Sequence, residues 1–270
     1  MTKRIGATAV LVLAAGAVTL PLVVAAVGSF SDDAALVGGS WWPRSPSFAN
    51  YVELFRSSGF WIPIRNSLVV AATTTVLCLV IGSGCAYALA RLRFPGRNLA
   101  LGIVLAIAMF PQIAIVSPLY LLLRRLGLID TYPGLVLPYV TFALPLAIWL
   151  LVGFFRQLPR QIEDAARIDG ASDLRVLLEV VLPLTAPALA TTAILTFIYC
   201  WNEFLFALSF TVSPDRQTVP VAIAMFRGRF QVPWGQVLAA SIVATAPVAA
   251  VVLAFQRRIA QGLVAGGVKG

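Results

Sequence analysis

Residues 131–155 read TYPGLVLPYVTFALPLAIWLLVGFF, and no Asp, Glu, Lys or Arg interrupts them. An α-helix rises about 1.5 Å per residue, so ~20 apolar residues cross a hydrocarbon layer about 30 Å thick. A charge at the centre of that layer costs at least ~2.5 kcal/mol. The stretch therefore reads as a transmembrane helix. Five more uncharged runs exceed 20 residues: 5–31, 66–90, 98–123, 180–202 and 230–256. No other gap between charges exceeds 11 residues. The alternating pattern of barrel strands is missing. The expected fold is all-α, a polytopic membrane protein with six transmembrane helices.

Composition agrees. Of 270 residues, 60% are hydrophobic and 11% charged, against about 45–50% and 25% in soluble domains. The mean hydropathy is +0.91. Thirty-one charged residues are too few to cover a soluble surface, and the apolar content excludes disorder. Histidine is absent. That removes His-based metal sites and the Ser-His-Asp relay, and no metal site is expected. Cys78, Cys85 and Cys200 sit in apolar runs without a CxxC and read as small buried hydrophobes.

Lys3 and Arg4 precede the first run and small residues follow it, as in a signal peptide. Its apolar core is longer than the 7–15 residues of such a peptide, so an uncleaved first span is expected. Six spans place both termini on one side. That side holds 12 Lys/Arg in 49 residues, against 8 in 68 on the other. The positive-inside rule makes the first side cytoplasmic, although Arg124 and Arg125 run against it. Much of the net charge of +9 is then topology and calls for no nucleic acid.

The segments between the runs carry the rest. Residues 32–65 hold Trp42, Tyr51, Phe55, Phe60 and Trp61. They fit an aromatic belt at the headgroups or a docking surface for an outer partner. Arg91-Leu-Arg-Phe-Pro-Gly-Arg97 is a tight basic turn, read as a topology anchor and little more. Pro111, Pro118, Pro138, Pro145 and Pro247 each remove a backbone donor and kink a helix. Such helices suit a static bundle or a cavity wall.

Residues 156–187 hold nine of the 31 charges. Pro159 suits a first helical turn. Glu163 and Asp164 precede Arg167 at i,i+4 and i,i+3 spacing. Ile162, Ala165, Ala166 and Asp169 share one face. Gly170 is placed to stop the helix in the left-handed conformation, and Ser172 to cap the next one, with Asp173 complementing its dipole. The spacing predicts a short separate helix with a small-residue face and a rigid turn. An ordinary amphipathic loop helix fits the same residues.

Glu163-Asp-Ala-Ala-Arg-Ile-Asp-Gly170, with Leu182-Pro183 following, resembles the E-A-A loop of ABC-importer permeases. Asp164 stands where that family most often has Glu. Leu135-Val-Leu-Pro-Tyr139, Trp201-Asn-Glu-Phe-Leu205 and the tail from Gln256 to Gly270 resemble the carbohydrate branch, related to the second maltose-importer permease. The resemblance runs from about Asn50 onward. It implies the type I ABC-importer permease fold in a bacterial inner membrane. The chain then divides into 1–61, the first span and an outer loop, and 62–270, a core of five spans. The core carries a coupling helix at about 160–172 and a tail at 257–270.

The implied partners are a homologous permease, two ATPase subunits, an extracytoplasmic solute-binding protein and the bilayer. ATP and Mg would be bound by the ATPases, with no cofactor in this chain. Glu163, Asp164, Ala165, Ala166, Asp169 and Gly170 would couple to an ATPase, and Lys269 and Gly270 would reach its interface. The implied cargo is a sugar, with a disaccharide such as trehalose or maltose favoured by likeness in 135–160 and 196–230. A glycerol phosphodiester or polyol is the alternative.

Glu203 adjoins the core of a span, where an ionisable residue is a functional candidate. It either lines a substrate path or pairs structurally. Asn202 would meet a sugar hydroxyl or another helix. Trp201, Tyr199 and Phe204 would form a sugar platform or pack against lipid. A secondary transporter or intramembrane enzyme would need ionisable relays or a nucleophile with a base, and the chain offers neither, nor a P-loop.

Overall fold

A computed structural model describes residues 2–39, 42–43, 45–226 and 232–267; Lys269 and Gly270 lie outside them. The described residues contain helices and no strand. The first long helix, α1 (Thr2–Gly28), is followed by the short α2 (Asp33–Val37) and α3 (Ala49–Arg56). Next come α4 (Trp61–Arg91), α5 (Arg97–Ala108), α6 (Gln112–Arg125) and α7 (Tyr132–Gln157). The small helix α8 (Arg160–Ile168) leads to α9 (Asp173–Arg175), a π-helical stretch (Val176–Val181), and α10 (Leu182–Leu184). The chain continues through α11 (Ala186–Trp201), α12 (Leu205–Phe210), α13 (Val219–Ala224) and α14 (Trp234–Gly267).

Among the described residues, four helices are long and apolar enough to cross a bilayer: α1, α4, α7 and α14. The other two uncharged runs are broken. Between α5 and α6 the axis turns by 90°, and between Asp173–Leu184 and α11 by 82°. Counting each bent pair as one span gives six. Proline chemistry sets both breaks. Pro111 is extended (φ −68°, ψ 114°) and lies outside α6 as its N-cap. Pro187, in the first turn of α11, has no N–H to offer the carbonyl of Pro183. Thr185 at the bend returns its hydroxyl to Val181 O (2.7 Å). By contrast, Pro118, Pro138, Pro145 and Pro247 stay within continuous helices.

The core is the α4–α7 pair, with α11 packed on both. Small residues let the backbones approach: Ala71, Cys78 and Ala86 on α4, and Ala143 and Ala147 on α7, are all buried. Cys200 is buried as expected, but Cys85 is exposed on the outside of α4. At one end Tyr139, Phe142, Phe206 and Phe210 fill the core, with the last two rings stacked at 5.6 Å. At the other, Leu151, Phe155, Val176 and Val181 do so.

α1 stands apart. From Val10 to Val24 every residue is exposed, and the helix packs on α14. Beside that contact Asp33, at the start of α2, accepts the Gly235 N–H (2.7 Å). Asn50 donates to Ser29 O (2.9 Å) and Ser31 O (2.8 Å).

The end opposite α8 is tied together by polar contacts. Asn66 of α4 donates to Asp215 O (2.8 Å) and Gln217 O (2.9 Å) and accepts from Tyr132 (2.7 Å). Asp130, in the left-handed region at φ 62°, accepts N–H groups from Val212 (2.8 Å) and Ser213 (3.0 Å). Partial burial pushes its carboxyl upward, but the bonds from Ser213 and Val212 and the charge of Arg216 outweigh this, and its pKa lies below the usual value. A carboxylate with a lowered folded pKa stabilises above its unfolded value, ~3.9, and loses that contribution as pH falls through the folded one. Asp130→Asn, which tolerates the same backbone, is expected to cost about 1 kcal/mol at pH 7. Thermal unfolding in detergent would show the gap from wild type closing below pH ~4; a gap that persists there would refute the assignment.

Candidate functional site: a short helix anchored at the end of the bundle

α8 lies outside the long helices, and its sequence explains both of its ends. Pro159 (φ −60°, ψ 129°) precedes it as N-cap. At the other end Gly170 adopts φ +86°. The Gly170 N–H reaches Arg167 O (3.0 Å), and the Ala171 N–H reaches Ala166 O (3.0 Å). That pair of bonds is the Schellman stop, and only glycine enters its left-handed position without strain. Ser172 then caps α9 by accepting the Arg175 N–H.

Charge fixes α8 against the bundle. Glu163 is 2% exposed. Its Oε1 lies 2.6 Å from Nε of Arg91, the last residue of α4. The contact is a close ion pair more than an aligned hydrogen bond. Arg91 Nη2 donates to Leu158 O (2.7 Å), the carbonyl that follows α7. Tyr87 offers its hydroxyl to Glu163 Oε2 (3.4 Å) and accepts from Arg167 Nη2 (3.1 Å). Arg167 closes the outer layer on Asp164 (3.3 Å) and Asp173 (3.0 Å).

The helix therefore has two faces. Glu163 and the half-buried Ala166 point inward, and Ala166 packs on the cluster of Leu151, Phe155 and Val176. Ile162, Asp164, Ala165, Ile168 and Asp169 are exposed, Ile168 by 86%. The expected single face of 162, 165, 166 and 169 is thus divided, and Glu163 is not available on the outside. Its carboxylate is consumed by Arg91. Sequence reasoning missed Arg91 and Tyr87. The turn at 91–97 is more than a topology anchor, because Arg91 alone of its three arginines is buried. The only local sign was an arginine at the end of an apolar run. A cleft of about 400 Å³ opens beside the pair, between Arg93, Arg160 and Asp164.

The residues expected on a substrate path separate. Trp201 is buried, stacks on Phe197 at 5.7 Å and packs with Leu54 and Phe60. Glu203 is buried too. Its Oε1 accepts the Phe206 N–H (2.9 Å) and its Oε2 the Ala207 N–H (3.2 Å), so both oxygens cap α12. In this structure Trp201 belongs to the core, and the Glu203 carboxylate satisfies the start of a helix. Asn202 is exposed, with its amide turned back to Ile198 O (2.8 Å). Tyr199 accepts from Gln112, and Phe204 is exposed.

Comparison with known proteins follows the same lines. Residues 63–264 match the family described as binding-protein-dependent transport system inner membrane component. The chain is 45% identical over 260 residues to the trehalose transport system permease protein SugB of Mycobacterium tuberculosis, covering 96% of this chain and 95% of that one. It is 42% identical over 253 residues to the trehalose/maltose transport system permease protein MalG of Thermococcus litoralis, covering 93% and 91%. Its fold matches a chain of a bacterial ABC transporter involved in import of the acidic polysaccharide alginate. That match has a TM-score of 0.79 and 25% identity, over 95% of this chain and 96% of that one.

Proposed function

The chain belongs to the binding-protein-dependent transport system inner membrane components, as a carbohydrate ABC-importer permease of the type I fold, and we propose that it forms half of a sugar path and converts closure of partner ATPases into inward–outward switching. The coupling element is α8. The observation that carries this reading is a stopped, charge-anchored helix whose outer face of Asp164, Ala165 and Asp169 is exposed. Small side chains let a partner surface approach closely. The anchor transmits force to α4 and α7. An ATPase that binds one membrane conformation better than the other shifts the population by that difference.

The density of Lys and Arg supports a cytoplasmic location for α8 and both termini. As a permease subunit the chain is not itself the enzyme. ATP and Mg belong to two ATPase partners, with a second permease and an extracytoplasmic solute-binding protein completing the assembly. The tail at 257–270, with Lys269 and Gly270, is assigned to the ATPase interface by resemblance alone. The division at 61/62 is supported by the exposure of α1 and by the start of the family match at 63. The cargo favoured by the relatives' names is a disaccharide of the trehalose or maltose kind.

Purification of the chain from its host in mild detergent tests this. A second permease, an ATPase and a sugar-binding protein are expected with it, and trehalose or maltose uptake into proteoliposomes is expected to require ATP. Uptake by the chain alone without ATP would overturn the proposal.

A further inference from the structure

The ion pair of Arg91 and Glu163 is buried on both sides, with side chains 4% and 3% exposed. Burial of two charges is a poor way to gain stability, because desolvation offsets most of the attraction, and an apolar pair of similar volume often does as well. The pair does, however, fix geometry. The Arg91 guanidinium is planar and forked. One edge meets Glu163 on α8 at 2.6 Å, and another nitrogen meets Leu158 O in the α7–α8 link at 2.7 Å. Its own backbone is the last turn of α4. One side chain therefore joins three elements. Tyr87, one helical turn earlier, supports the same carboxylate at Oε2.

The outer charges form a different layer. Arg167, Asp164 and Asp173 are substantially exposed, with side chains at 37%, 63% and 54%, and pairs of that kind contribute little. They hold the turn after α8, while the buried pair sets the angle of α8 to α4.

We propose that Arg91 and Glu163 are positioning residues that lock α8 to the α4–α7 pair, so that displacement of α8 reaches the bundle without slip. This rests on the reading of α8 as the coupling helix. The lock has a defined failure: with the pair removed, α8 still docks but rotates or slides on its apolar seat, and ATP is spent without transport.

The test is the amount of sugar imported per ATP hydrolysed by the complete importer in proteoliposomes. Arg91→Leu and Glu163→Leu each strand a buried charge and are expected to lower the yield of folded complex. The double variant R91L/E163L strands none. It is expected to keep the thermal midpoint and retain the ATPase on purification, yet lose roughly tenfold in sugar moved per ATP, within the 5–150-fold span of typical coupling energies. The exchanged pair R91E/E163R is expected to recover part of that loss.

Normal sugar per ATP in the double variant would reduce the pair to structure and overturn the inference. Ala165→Asp in the same assay separates the two levels. If it blocks uptake while the double variant is normal, only the lock fails. If Ala165→Asp is also normal, the coupling reading fails and the lock with it.

Discussion

Ala165→Asp is expected to abolish ATP-driven uptake while leaving the chain folded and inserted. Ala165 is exposed on the outer face of α8. An exposed substitution away from special features stays within about 0.5 kcal/mol of wild type. At a docked interface the same carboxylate is buried without a partner, which costs about 3–5 kcal/mol. Since each 1.4 kcal/mol is tenfold, ATPase docking weakens at least ~100-fold. Gly170→Asp acts by another route. Nothing lies within 4 Å of an added Cβ there, so the cost is the left-handed backbone, about 1–2 kcal/mol, and a loosened stop to α8. The paired measurements are the melting midpoint of the purified chain and ATPase retention on the affinity column. Normal retention and normal uptake in both variants would end the docking assignment.

Glu203→Ala is expected to destabilise the chain by about 2–6 kcal/mol, because two buried N–H groups lose their acceptor and each such loss costs about 1–3 kcal/mol. Glu203→Gln keeps one acceptor oxygen and is expected to lose about half as much. Thermal unfolding in detergent would rank wild type, Gln and Ala in that order, with substrate affinity unchanged in the folded fraction. A path-lining carboxylate predicts the reverse. Both variants would melt like wild type, and the concentration of sugar needed for half-maximal uptake would rise. The geometry favours the first outcome, since both oxygens of Glu203 already serve the start of α12.

These two residues mark how far the sequence could be read. What depends on neighbours within four positions was legible. The uncharged runs marked the four long helices and the two bent pairs, six spans when each pair counts as one. Gly170 and Ser172 gave the stop and the cap. Glu163 and Asp164 stood at the spacings from Arg167 that the ion pairs now occupy. What depends on distant partners was not legible. Tyr87 and Glu163 are 76 residues apart, and no local rule says which side of α8 faces the bundle. An acid beside an apolar run reads alike whether it lines a path or caps a helix, so Glu203 left both open. Proline positions were visible, but whether a proline bends a helix depends on what surrounds it. Pro138 and Pro145 lie within the continuous α7, and both are buried there, whereas Pro111 stands at a break.

The contact between α1 and α14 has a consequence for how the molecule is made. α1 packs on α14, and just beyond it Asp33, at the start of α2, shares a hydrogen bond of 2.7 Å with Gly235, 202 residues away in the chain. A side chain on Gly235 would collide with Asn50, whose Nδ2 sits 2.5 Å from the place of its Cβ. The helix that leaves the ribosome early therefore waits, without its protein neighbour, until α14 has been synthesised. At about 5–20 residues per second that interval is on the order of ten seconds or more. During it only lipid, the insertion machinery or a chaperone covers α1. The apolar, uncharged surface from Val10 to Val24 lets the early helix rest in the membrane through that delay, and biogenesis is complete only when the two distant segments meet.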